Sequence, residues 1–123
     1  MEAGPATIPP TDDEIVSGYL ANYAGEQAAF WAFEEVSELV WRDPERLWRI
    51  TLRLIEHASD EAAIAYVAAG PLEDILASHG AAFIERVEIM ARSNKRFLIA
   101  LSGVWGHTRF SPEINARVQS IKA

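Results

Sequence analysis

The sequence contains no cysteine. That removes a disulfide framework, a cysteine-based zinc site and a thiol nucleophile at once, and it fits a reducing compartment. Long apolar runs are missing too. No stretch approaches the roughly 18–20 residues of a bilayer-spanning helix, so no membrane partner is expected. Residues 1–10 (MEAGPATIPP) have neither the basic start nor the apolar core of a signal peptide. The resulting expectation is a cytoplasmic protein. Bases are scarce: 11 Lys and Arg stand against 18 Asp and Glu, a formal charge of −7. That sign disfavours nucleic acid as a partner.

Catalytic signatures are absent as well. There is no His-Glu-x-x-His, no Gly-x-Ser-x-Gly and no phosphate-cradling glycine loop. The histidines are His57, His79 and His107, and none lies three or four residues from another. No catalytic residue, metal ligand or cofactor is therefore assigned.

What remains is ample material for a core. Half of the 123 residues are apolar, with four Trp, five Phe and three Tyr, enough for one domain without covalent staples. Residues 1–10, with three prolines, read as a flexible lead-in, and residues 11–123 as a single all-α domain. Thr11 before Asp12-Asp13-Glu14 is a hydroxyl cap followed by first-turn acids, predicting a helix to Tyr23. Gly25 marks a break. A second helix over 26–41 carries Ala29, Phe33, Val36 and Val40 on one stripe. Asp43-Pro44-Glu45 opens a third, reaching His57, with the proline at its first position. Ser59-Asp60-Glu61 starts a fourth, which Gly70-Pro71 ends. A short fifth over 72–78 stops at His79-Gly80, and a sixth spans 81–92. After Ser93-Asn94 a seventh covers 95–105 and ends at Gly106. Ser111-Pro112 opens the last, with Ile114, Val118 and Ile121 in register. No period-2 alternation suggests a strand. Seven to eight short helices with brief connections predict stacked antiparallel pairs, in the manner of HEAT or armadillo proteins, although no internal repeat is present.

Charge is unevenly spread. Residues 1–45 hold ten acids and one base, net −9, whereas residues 46–123 hold eight acids and ten bases, net +2. On the second helix, Trp31 precedes Glu34 by three, Glu35 by four and Glu38 by seven, and Trp41 follows Glu38 by three. Two tryptophans thus flank an acidic stripe off the core side. Aromatic side chains beside charge are what a binding hot spot requires. The alternative is that a neighbouring helix covers these rings. On the third helix, Arg46, Arg49 and Arg53 form a basic stripe, suited to an acidic partner or to another copy's acidic helix. Local pairing of Glu45 with Arg49 and of Glu56 with Arg53, on the ordinary outer side of an amphipathic helix, is the favoured explanation. Glu73, Asp74 and His79 form the remaining acid–histidine grouping, a candidate for metal or acid–base work. His79 lies five and six residues from the two acids, so the three do not share a helical face. Helix capping and dipole complementarity account for all three.

From Trp41 to Trp105 the chain resembles the DUF6869 family of small bacterial proteins of unknown function. The resemblance rests on Asp43-Pro44-Glu45 with Trp48, Ile55-Glu56-His57-Ala58, Ala69-Gly70-Pro71-Leu72-Glu73-Asp74, His79-Gly80, and Phe97, Leu101, Val104 and Trp105. It implies a helical fold and a bacterial origin. Small acidic helical proteins of this kind being encoded beside polymorphic toxins, it also implies an immunity role. The leading expectation is a non-enzymatic protein that masks a basic toxin or effector with the Trp31/Glu34/Glu35/Glu38/Trp41 face. A metal-binding or enzymatic protein using Glu73, Asp74 and His79, and a self-associating scaffold using the arginine stripe, are the alternatives.

Overall fold

A computed structural model describes residues 8–105 and 108–122. The readings placed on residues 1–7, Gly106 and His107 lie outside them. Among the described residues every regular element is helical, and no strand occurs. The order is α1 (Asp12–Tyr23), a 3₁₀ turn (Gln27–Ala29), α2 (Phe30–Arg42), α3 (Pro44–His57), α4 (Glu61–Val67), a π turn (Ala68–Leu72), α5 (Glu73–Ser93), α6 (Lys95–Ser102) and α7 (Pro112–Lys122).

Local capping sets most of the starts. Thr11 and Glu14 form a reciprocal capping box, with Thr11 N donating to Glu14 Oε1 at 2.8 Å and Glu14 N to Thr11 Oγ1 at 3.1 Å. Asp43 accepts from Arg46 N ahead of Pro44, Asp60 from Ala63 N and Asn94 from Phe97 N. Ser111 Oγ accepts from Ile114 N before α7. Each side chain satisfies an amide that has no partner within its helix.

α3 is the hub. Leu47, Ile50, Thr51 and Leu54 are wholly buried, and Trp48 and Ile55 nearly so. Thr51 returns its hydroxyl to the Leu47 carbonyl at 2.7 Å, which satisfies it inside the core. α1 packs chiefly on α2, and α5 on α6 and α7, while α3 touches α1, α2, α4, α5 and α6. The stack is therefore not strictly linear. Trp48 ties α3 to α5 and α6, its ring 5.7 Å from Phe83 and 5.9 Å from Phe97.

Of three expected stops, two hold as breaks without a full separation and the third shifts. Gly70-Pro71 interrupts the helix as expected, α4 ending just before it at Val67. Pro71 has no N–H for the ladder, and Gly70 departs from helical geometry (φ −99°, ψ −105°). The chain takes one π turn, in which Glu73 N reaches the Ala68 carbonyl, and runs on into α5. His79-Gly80 interrupts the helix as expected: His79 leaves helical geometry at φ −137°, ψ 32°, so the run assigned to α5 is two helical segments that meet at a kink, the expected fifth and sixth helices joined end to end. Gly80 has no left-handed geometry; among the described glycines only Gly25 does, at φ 112°. At the other end, α6 closes at Ser102 with Gly103 as its cap, so Val104 and Trp105 lie beyond it.

Candidate functional site

α2 begins as a 3₁₀ turn, so the regular helix starts at Phe30. Ala29, Val36 and Val40 of the expected stripe are buried, Phe33 is half-buried, and Ala32 and Leu39 join the core beside them. This orientation turns Trp31, Glu34, Glu38 and Trp41 outward. Trp41 is 74 % exposed and Trp31 41 %. Neither ring is covered by a neighbouring helix as a core tryptophan would be. Trp31 leans on α1: a Cβ at Gly18 would stand 2.8 Å from Ala32 Cβ and 3.2 Å from the indole Cζ2, so the bare glycine lets α2 pack closely here. Trp41 stands edge-on to His79, ring centres 6.4 Å apart. The two indoles are ten positions apart, which places them about 80° from each other around the helix.

The acidic stripe is partly neutralised from within. Arg42, in the last turn of α2, bonds Glu38 at 3.2 Å and also reaches Glu35. A cation there also suits the helix dipole. Glu34 is exposed and makes no ion pair among the described residues. Phe30, 49 % exposed, and Tyr23 are further exposed aromatics, packed against Phe33 and Tyr66 respectively. Neither was legible in the sequence as surface, beyond the place of Phe30 outside the Ala29/Phe33/Val36/Val40 stripe.

The arginine stripe of α3 is engaged by α1. Arg46 bonds Asp12 at 2.8 Å and the Pro10 carbonyl at 2.8 Å; Arg49 lies 3.7 Å from Asp12, and Arg53 pairs with Asp13. The expected local pair of Glu45 with Arg49 gives way to a bidentate one. Both oxygens of Glu45 accept from Arg86 at 2.7 Å, and this bond holds the Glu45 carboxyl below its usual range.

Glu73, Asp74 and His79 do not converge. Arg109 takes Glu73 at 2.8 Å and Asp74 at 3.0 Å, and Glu73 also accepts from Trp105 N. His79 donates from Nε2 to the Val40 carbonyl at 2.6 Å, fastening the kink of α5 to the end of α2. Among the described residues no three His, Asp or Glu side chains group to hold a metal ion. None of the described helices is long and apolar enough to cross a membrane.

Over residues 20–123 the chain matches the model of a protein family described as a family of unknown function (DUF6869). No curated protein matches, and no solved structure does.

Proposed function

The chain belongs to the DUF6869 family, whose function is unknown, and on that premise we propose that it is a non-enzymatic protein-binding protein. It masks a basic partner, a bacterial toxin or secreted effector, with the outer face of α2, and so acts as an immunity or antitoxin-type protein in the cytoplasm. The observation that carries this reading is the exposure of Trp31 and Trp41 on a helix whose other side is firmly in the core. Large aromatic side chains left in water gain most when a partner buries them. Glu34 and Glu38, between the two indoles, supply the charge that would steer a basic surface onto them.

The test is binding to the purified products of the genes flanking this one. Trp41→Ala combined with Glu38→Lys should weaken binding at least about tenfold, as hot-spot truncations do. Its melting temperature should fall by no more than a few degrees, because both positions are exposed and the ion pair lost is the surface one of Glu38 with Arg42. Unchanged affinity in the double variant, or no binding to any flanking product, would overturn the proposal.

A further inference from the structure

Between α1, α2 and the π turn lies a cleft of about 310 Å³, at the lower end of the ~300–1,000 Å³ that small-ligand sites occupy. Three aromatic rings line it: Tyr19 from α1, Phe33 from α2 and Tyr66 from α4. They form a continuous band. Tyr19 lies 6.2 Å from Phe33 and 5.5 Å from Tyr66, and Tyr23 packs on Tyr66 at 4.6 Å. Gly70, Pro71 and Asp74 complete the lining. The string Ala69-Gly70-Pro71-Leu72-Glu73-Asp74, for which the binding face of α2 has no use, thus contributes directly to this cleft.

Its chemistry has one sign. Asp74 brings a carboxylate, and no Lys, Arg or His is among the lining residues. Arg109 does not cancel that charge, because one guanidinium is shared between Glu73 and Asp74. The cleft also depends on its glycine: a Cβ at Gly70 would stand 2.9 Å from the Tyr19 hydroxyl. Burial pushes the Tyr19 phenol far up, with Tyr66 and Asp74 adding to the shift, so the ring stays neutral.

We propose that this cleft binds a small organic cation of the alkylammonium or quaternary ammonium class. The aromatic faces attract the positive head through their quadrupoles, and Asp74 balances its charge. An anion would find no base to receive it. A neutral apolar ligand would desolvate the Asp74 carboxylate without compensation. Trp31 and Trp41 are not among the lining residues, so this inference stands or falls separately from the protein-binding role.

The experiment titrates the full chain with choline and, in parallel, with 3,3-dimethylbutan-1-ol, its neutral carbon isostere, followed by NMR. Choline is expected to give saturable shifts at Phe33, Tyr66 and Gly70. The isostere should bind about tenfold more weakly, the size of a desolvated cation–π and charge contribution. Asp74→Asn should weaken choline and bring the two probes closer in affinity, since the isostere no longer has to desolvate a carboxylate, and Tyr66→Leu should weaken choline most. Should Asp74→Asn fail to fold, the comparison of the two probes on the wild-type chain decides. Equal affinity for both probes, or no saturable shift with choline, overturns the proposal.

Discussion

Gly80 faces Ile114 of α7 so closely that an added methyl would lie 2.8 Å from its Cγ1 and 3.2 Å from both Cδ1 and Cγ2. Two effects oppose each other in Gly80→Ala. Removing a glycine from a helix interior favours folding by about 0.5–1 kcal/mol, while overpacking a seated contact costs about 1–3 kcal/mol. Ile114 is β-branched and stiff about its first torsion, and it is itself buried, so it cannot swing aside. The overpacking cost should win, and urea denaturation should show a net loss on the order of 1 kcal/mol. Gly103→Ala is the control. Its methyl would meet only ordinary contacts, the nearest at 3.4 Å, and its stability should stay within about 0.5 kcal/mol of wild type. A stabilised Gly80→Ala would mean that α7 does not sit on α5 at this point. The same residue shows where reading from sequence stops. His-Gly after an apolar run has the form of a helix stop, and nothing near Gly80 in the chain reveals that Ile114 requires the space.

At the scale of elements, what is decided within three or four residues was legible, and what is decided across the chain was not. Thr11, Asp43, Asp60, Asn94 and Ser111 each cap a helix through an amide three positions on, and those starts follow from sequence alone. The partners of the charged side chains do not. Glu45 turns to Arg86, and the arginines of α3 turn to Asp12 and Asp13, because packing brings α5 and α1 nearer than the next turn of the same helix. The exposed tryptophans were legible only as residues off the core stripe, since their covering, or its absence, is a tertiary property. Arg117 and Glu88 make such a non-local pair between α7 and α5, bidentate at 3.0 and 2.6 Å. The hydrogen bond from Arg117 holds the Glu88 carboxyl below its ordinary 4.5. A carboxyl lowered on folding stabilises the fold above its unfolded value and loses that contribution as the pH falls through the folded one. Glu45, lowered by Arg86, acts in the same direction. The melting temperature should therefore drop as the pH goes below 4.5. Arg117→Ala, which removes the largest cause of that lowering and leaves only the charge of Arg92, should fall less steeply over the same window. Thermal melts across the acid range check this, and parallel curves for the two proteins would contradict it.

Over the whole molecule, the charge imbalance between the first 45 residues and the rest has two destinations. Part is turned inward. Asp12, Asp13 and Glu45 meet arginines of α3 and α5, so opposite signs from the two portions of the chain join α1 to α3 and α3 to α5. The chain as a whole keeps a formal −7, and Glu34 and Glu38 stay exposed on the face proposed to bind. Long-range attraction depends on the outward charge and is screened by salt, whereas desolvation of an indole is short-ranged and is not. The two should therefore separate in binding kinetics with a basic partner. Raising the ionic strength from about 0.05 to about 0.5 M should slow association on the order of tenfold. Dissociation should change little. Trp41→Ala should do the reverse, leaving association within about threefold and speeding dissociation at least about tenfold. Surface plasmon resonance at two salt concentrations resolves the four rates. If salt acted mainly on dissociation, the acidic side chains would be buried ion-pair partners rather than steering groups. If Trp41→Ala slowed association alone, the indole would not be the anchor, and the binding face would have to be sought on another helix.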